Sequence, residues 1–139
     1  MKTEIKVLSF THDELVNLLS TALYGSSWFY AEYDRTIYNT LKKTNGDCFE
    51  DKLADMLLAG HKITIVDMDA EGEMYSNKCV RIDEEDESAV YEVKLEDILQ
   101  TASTKDGYQL VMDVLSGDGD YWTADAFLQR VVFGEEIYG

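Results

Sequence analysis

The chain has 139 residues, 45% apolar and 12% aromatic, enough for one globular core and too aromatic for intrinsic disorder. Its 28 acidic and 12 basic residues leave a formal net charge of −16, which sets the general surface against direct contact with nucleic acid. No apolar run approaches the roughly 18 to 20 residues that span a bilayer, and the start, Met1-Lys2-Thr3-Glu4-Ile5-Lys6, lacks the apolar core of a signal peptide, so a cytoplasmic protein with no membrane partner is expected.

Ile5 and Val7 alternate with polar neighbours ahead of Leu8 and Phe10, which predicts a short strand over residues 4–10. Thr11 with Glu14 three positions later is a capping-box spacing, and Leu15, Leu18, Leu19, Ala22 and Leu23 then form one apolar face, predicting a helix over 12–24. Gly25 is expected to end it as a left-handed cap. The aromatics of Trp28-Phe29-Tyr30-Ala31-Glu32-Tyr33 favour a strand. Asp47 and Glu50 repeat the capping spacing before Phe49, Leu53, Met56 and Leu57, and Gly60 lies just beyond, predicting a helix over 48–59. Residues 61–68, His-Lys-Ile-Thr-Ile-Val-Asp-Met, read as a strand; a turn at 69–73 and a second strand from Met74 to Ile82 would complete a hairpin.

A third strand is expected over 89–94, followed by two short helical patterns, Leu95 to Ala102 and Tyr108 to Leu115. Ser116-Gly117-Asp118-Gly119-Asp120 reads as a flexible loop, and Thr123 as the cap of a helix over 124–133 stopped by Gly134. The absence of Pro leaves turns to Gly, Asn, Asp and Ser. Strands and helices cluster without strict alternation, so the expectation is a single α+β domain over 1–139, with an antiparallel sheet of three or more strands packed against several helices. Its expected core is Leu15, Leu19, Leu23, Leu53, Leu57, Ile63, Ile65, Val80, Val93, Phe127, Leu128 and Val131.

Charge is uneven along the chain. Residues 1–66 carry nine acids and seven bases, for −2, and residues 67–139 carry nineteen acids and five bases, for −14. The acidic surface that follows, Asp83, Glu84, Glu85, Asp86 and Glu87 with Asp118 and Asp120, suits a cationic partner, although such a run also serves solubility alone. The segment Asp67-Met68-Asp69-Ala70-Glu71-Gly72 has the alternate oxygen ligands of an EF-hand loop, but Lys78 stands where its bidentate Glu belongs and the flanks read as strands. His12 and His61 fall in no zinc-binding spacing. Cys48 and Cys79 read as reduced thiols, Cys48 as a small packed side chain. Nucleotide-binding, dinucleotide-binding and serine-hydrolase signatures are missing, and no cofactor is implied. The aromatics Trp28, Phe29, Tyr30, Tyr33 and Tyr38 read first as core and second as a protein interface, as do Tyr121 and Trp122.

Two segments, Leu19-Ser20-Thr21-Ala22-Leu23-Tyr24-Gly25 and Phe133-Gly134-Glu135-Glu136-Ile137-Tyr138-Gly139, resemble small acidic uncharacterised proteins of bacteriophages and mobile elements. The resemblance implies a setting in which such proteins inhibit host nucleic-acid-binding machinery, anti-CRISPR proteins among them. Charge and resemblance together point to a non-enzymatic binding protein that occupies a basic, nucleic-acid-binding surface of another protein, as a mimic of nucleic acid. A different class is a structural or oligomeric module whose charge serves solubility only. A third is a metal-dependent hydrolase using Asp67, Asp69 and Glu71 or Asp118 and Asp120.

Overall fold

The computed structural model describes residues 9–41 and 46–138. Among them the chain builds α1 (His12–Gly25), β1 (Phe29–Glu32), α2 (Arg35–Tyr38), α3 (Phe49–Leu58), β2 (Ile63–Asp67), β3 (Cys79–Asp83), β4 (Ser88–Val93), α4 (Leu95–Ala102), α5 (Lys105–Leu115) and α6 (Tyr121–Phe133). The α+β class follows directly: four antiparallel strands in the order β1-β2-β4-β3 form one sheet, and the helices pack together on it. The strand expected over residues 4–10 lies outside the described residues except for Ser9 and Phe10, which precede α1 without strand pairing.

Helix α1 begins with the capping box read from sequence. Thr11 Oγ1 accepts from the Glu14 N–H at 3.1 Å, and Glu14 Oε1 accepts from the Thr11 N–H at 2.9 Å. Its end differs from expectation, because Gly25 stays helical and Ser26 closes the helix in an extended conformation. Gly25 is instead required by a close approach, since a Cβ there would run into the Tyr121 ring at the start of α6. Helix α3 is capped one residue later than read: the N-cap is Cys48, and Asp51, where Glu50 was expected to serve, accepts from the Cys48 N–H at 3.2 Å. Cys48 is exposed, contrary to the packed side chain expected. Helix α6 likewise starts ahead of Thr123, because Asp120 Oδ1 accepts from the N–H groups of Trp122 and Thr123 and caps the helix at Tyr121. Gly134 ends it with a φ of 84°, as expected.

The largest correction is in strand pairing. β2 pairs with β1 and β4, and the hairpin is β3–β4, turning through Asp83–Glu87. Residues 74–78 form no strand. A strand between β1 and β4 must be apolar on both faces, and Ile63, Ile65 and Val66 fit that place, whereas β3 carries exposed Val80, Arg81 and Ile82 and stands at an edge.

Across the sheet, Ala31, Ile65, Tyr91 and Cys79 share one register row, and Ile63 pairs with Val93. With Leu15, Leu19, Leu53, Leu57, Ile98, Val111, Phe127 and Val131 these residues form one core between sheet and helices. Val80 is the expectation that fails, being 55% exposed, and Leu23 is only partly buried. A bulge between Cys79 and Arg81 shifts the register at Val80, so alternation counted from sequence does not predict its face. Trp28, Phe29 and Tyr38 are core residues, and Tyr30 faces outward.

Candidate functional site

The β3–β4 turn is built by its first acid. Asp83 Oδ1 accepts from the N–H groups of Glu85 at 3.1 Å and Asp86 at 3.3 Å, so the chain reverses around one carboxylate. Glu87 closes the turn with a φ of 53°, a left-handed conformation uncommon for a non-glycine residue. Its carbonyl accepts from the Glu71 N–H at 3.1 Å, which ties the 69–73 loop to the hairpin. Folding thus joins two acidic segments that are apart in sequence. Asp69, Glu71 and Glu73 lie exposed on one, and Glu84, Glu85, Asp86 and Glu87 on the other.

None of these carboxylates forms an ion pair with a described residue. Exposed Val80 and Ile82 lead into the same turn from β3, and exposed Met68 and Met74 flank the loop. The hairpin therefore presents a run of acids free of ion pairs to described residues next to apolar side chains, with exposed Arg81 between Val80 and Ile82. Asp118 and Asp120 are elsewhere, in the connection between α5 and α6. Asp120 is occupied as the α6 cap, and Asp118 Oδ2 accepts from Ser116 Oγ at 3.3 Å. No hydrogen bond or ion pair among the described residues links them to the hairpin.

Asp67 has a different environment. It closes β2 in full burial, where Oδ1 accepts from the Asp69 N–H at 2.9 Å and Oδ2 accepts from the Tyr138 hydroxyl at 2.7 Å. Burial pushes its carboxyl above the ordinary range, and those two hydrogen bonds oppose the shift. The Tyr138 hydroxyl is pushed up as well, by burial and then by its bond to Asp67. Tyr138 is delivered by buried Gln129, whose Oε1 accepts from the N–H groups of Ile137 and Tyr138 at 2.8 Å each. Its ring stacks near Trp28 and Phe133, and Tyr91 lies against Phe133 with its hydroxyl accepting from the Tyr75 N–H at 3.0 Å. Both oxygens of Asp67 are thus engaged inside the protein, and strand β2 precedes it where an EF-hand needs a helix. Among the described residues no three His, Cys, Asp or Glu side chains are placed to hold a metal ion.

Asp67, Gln129 and Tyr138 escaped the sequence reading as a unit. The one available signal is the single carboxylate in a strand rich in β-branched residues, because a carboxylate buried there implies a donor from elsewhere in the fold. Neither a family model nor a curated protein nor a solved structure matches the chain. No helix among the described residues is long and apolar enough to cross a membrane.

Proposed function

We propose that this protein is a non-enzymatic binding module that docks its β3–β4 hairpin onto a basic surface of a partner protein, of the kind nucleic-acid-binding proteins present. The observation that carries this reading is the exposed run Glu84-Glu85-Asp86-Glu87, free of ion pairs to described cations and adjoining exposed Val80 and Ile82. Such charges steer association, while apolar side chains beside them supply area that gains by leaving water. The neighbouring Asp69, Glu71 and Glu73 widen the anionic field. A phage-borne inhibitor acting as a nucleic-acid mimic is the specific form this reading takes.

An affinity pulldown from a host lysate identifies the partner, and binding kinetics then test the surface. The on-rate is expected to fall as ionic strength rises past about 0.15 M, where the Debye length is near 8 Å. Replacing Glu84, Glu85 and Asp86 by Gln, Gln and Asn is expected to slow association, and Val80→Ser with Ile82→Ser to speed dissociation. Parental kinetics in both variants would remove the hairpin from the interface. The alternative of self-association has β3 in its favour, an edge strand with exposed apolar residues. Against it stands a charge of −16 on every copy. Sedimentation at low and high salt separates the two, since self-association opposed by charge strengthens with salt.

A further inference from the structure

A concavity lined by three basic side chains lies among the helices of this acidic protein. Lys78 from the segment before β3, Lys105 at the start of α5 and Arg130 near the end of α6 line a cavity of about 390 Å³ together with Gln100, Gly134 and one carboxylate, Asp106. Three of the chain's 12 basic residues therefore meet in one place although they are up to 52 positions apart in sequence. Arg130 is already balanced: its Nη2 lies 2.8 Å from Glu136 Oε2, and its Nη1 lies 3.8 Å from Asp106 Oδ2. Lys78 and Lys105 form no ion pair with any described residue. The two ammonium groups repel each other across the concavity, and the one carboxylate on its wall, Asp106, is engaged by Arg130, so an entering anion relieves that repulsion.

We propose that this cavity binds a small phosphate-bearing molecule, with Lys78 and Lys105 as its charge partners. A phosphate monoester carries about −1.5 to −2 charge near neutral pH, which matches two unpaired ammonium groups. The volume of about 390 Å³ leaves room for an organic portion beside the phosphate and falls within the range of small-molecule sites. Gln100, whose side-chain amide makes no hydrogen bond to a described residue, offers an amide donor on the wall. Arg130, held in place by Glu136 and Asp106, adds no net charge but fixes a guanidinium on the cavity wall that can orient the ligand. The site is separate from the acidic hairpin, so it stands or falls independently of the docking surface proposed above.

The test is a titration of the full chain with inorganic phosphate, pyrophosphate and citrate at constant ionic strength, followed by amide chemical shifts. Saturable binding of the two phosphates, with shifts at Lys78, Gln100, Lys105 and Gly134, is the expected result. Lys78→Glu with Lys105→Glu is expected to weaken pyrophosphate binding by at least about tenfold, the effect of losing roughly one charge-assisted contact. Lys62→Glu with Lys94→Glu, an equal change of net charge lining a different cavity, is expected to leave binding within about twofold. Should the double variant at the site not fold, Lys105→Glu alone decides, because Lys105 is exposed. Linear, non-saturating shifts, equal losses in the two double variants, or citrate binding as tightly as pyrophosphate would each overturn the proposal.

Discussion

Two strands of the same sheet end in aspartate, and the two carboxylates begin alike. Asp67 closes β2 and accepts from the N–H of Asp69, and Asp83 closes β3 and accepts from the N–H of Glu85, each two residues ahead. Locally they are the same turn. What separates them is the next layer: Tyr138 and its ring of aromatics cover Asp67, and solvent covers the turn begun by Asp83. A carboxylate with a second donor and no water becomes a structural joint between β2 and the chain's end. One left in water remains a charge available to another molecule, which is why acidic composition alone does not separate structural acids from binding ones.

The sharpest way to break that comparison is to truncate both. Asp67→Ala strands the Tyr138 hydroxyl and the Asp69 N–H, and is expected to cost roughly 1 to 3 kcal/mol in chemical denaturation. Asp83→Ala is expected to cost no more than about 1 kcal/mol, since water replaces the lost acceptor. Equal losses would mean that burial does not distinguish them.

The pH dependence sharpens the same contrast. Asp67 has a native carboxyl raised above its ordinary 3.8, so its contribution to stability is fully present below 3.8 and is lost as pH rises through the raised native value. The parent should therefore lose stability relative to Asp67→Asn as pH climbs from below 3.8 toward neutrality, opposite to an ion-paired carboxylate. At the alkaline end the sign is the same for the phenols. Tyr91, pushed up to about 12, and Tyr138, raised above its ordinary 10.0, favour the fold in their neutral forms and lose that contribution above pH 10. Tyrosinate absorbance rising together with loss of the fold, rather than before it, is the expected readout.

Smaller effects separate cap side chains that hold a backbone N–H from neighbours that do not. Thr11→Ala and Asp51→Ala are each expected to cost about 0.5 to 1 kcal/mol through lost capping, and Glu50→Ala much less, measured by thermal unfolding. Smallest of all, the triple neutralisation of Glu84, Glu85 and Asp86 is expected to shift stability by less than about 0.5 kcal/mol, in the favourable direction if like charges repel across the turn. A larger loss would show that the hairpin acids hold the fold together.

Local chemistry written in consecutive residues was legible before folding. The capping box of Thr11 and Glu14, the apolar faces of α1, α3 and α6, the left-handed stop at Gly134 and the α+β class all follow from spacings of a few residues, where helix geometry alone sets which side chains meet. The acidic run was equally visible, although the hairpin turn was expected at 69–73 and not there. Pairing was not legible: β2 lies beside β1 and β4 rather than β3, because partner choice depends on which strand can bury both faces, a property of the assembled sheet. The bulge that exposes Val80, the close approach of Tyr121 that requires Gly25, and the bond from Tyr138 to Asp67 across 71 positions have the same origin. Each is a contact between segments that only the packed core brings together, and no periodicity along the chain encodes it. The cationic cavity belongs with them, since Lys78, Lys105 and Arg130 become neighbours only when α5 and α6 pack beside the segment leading into β3.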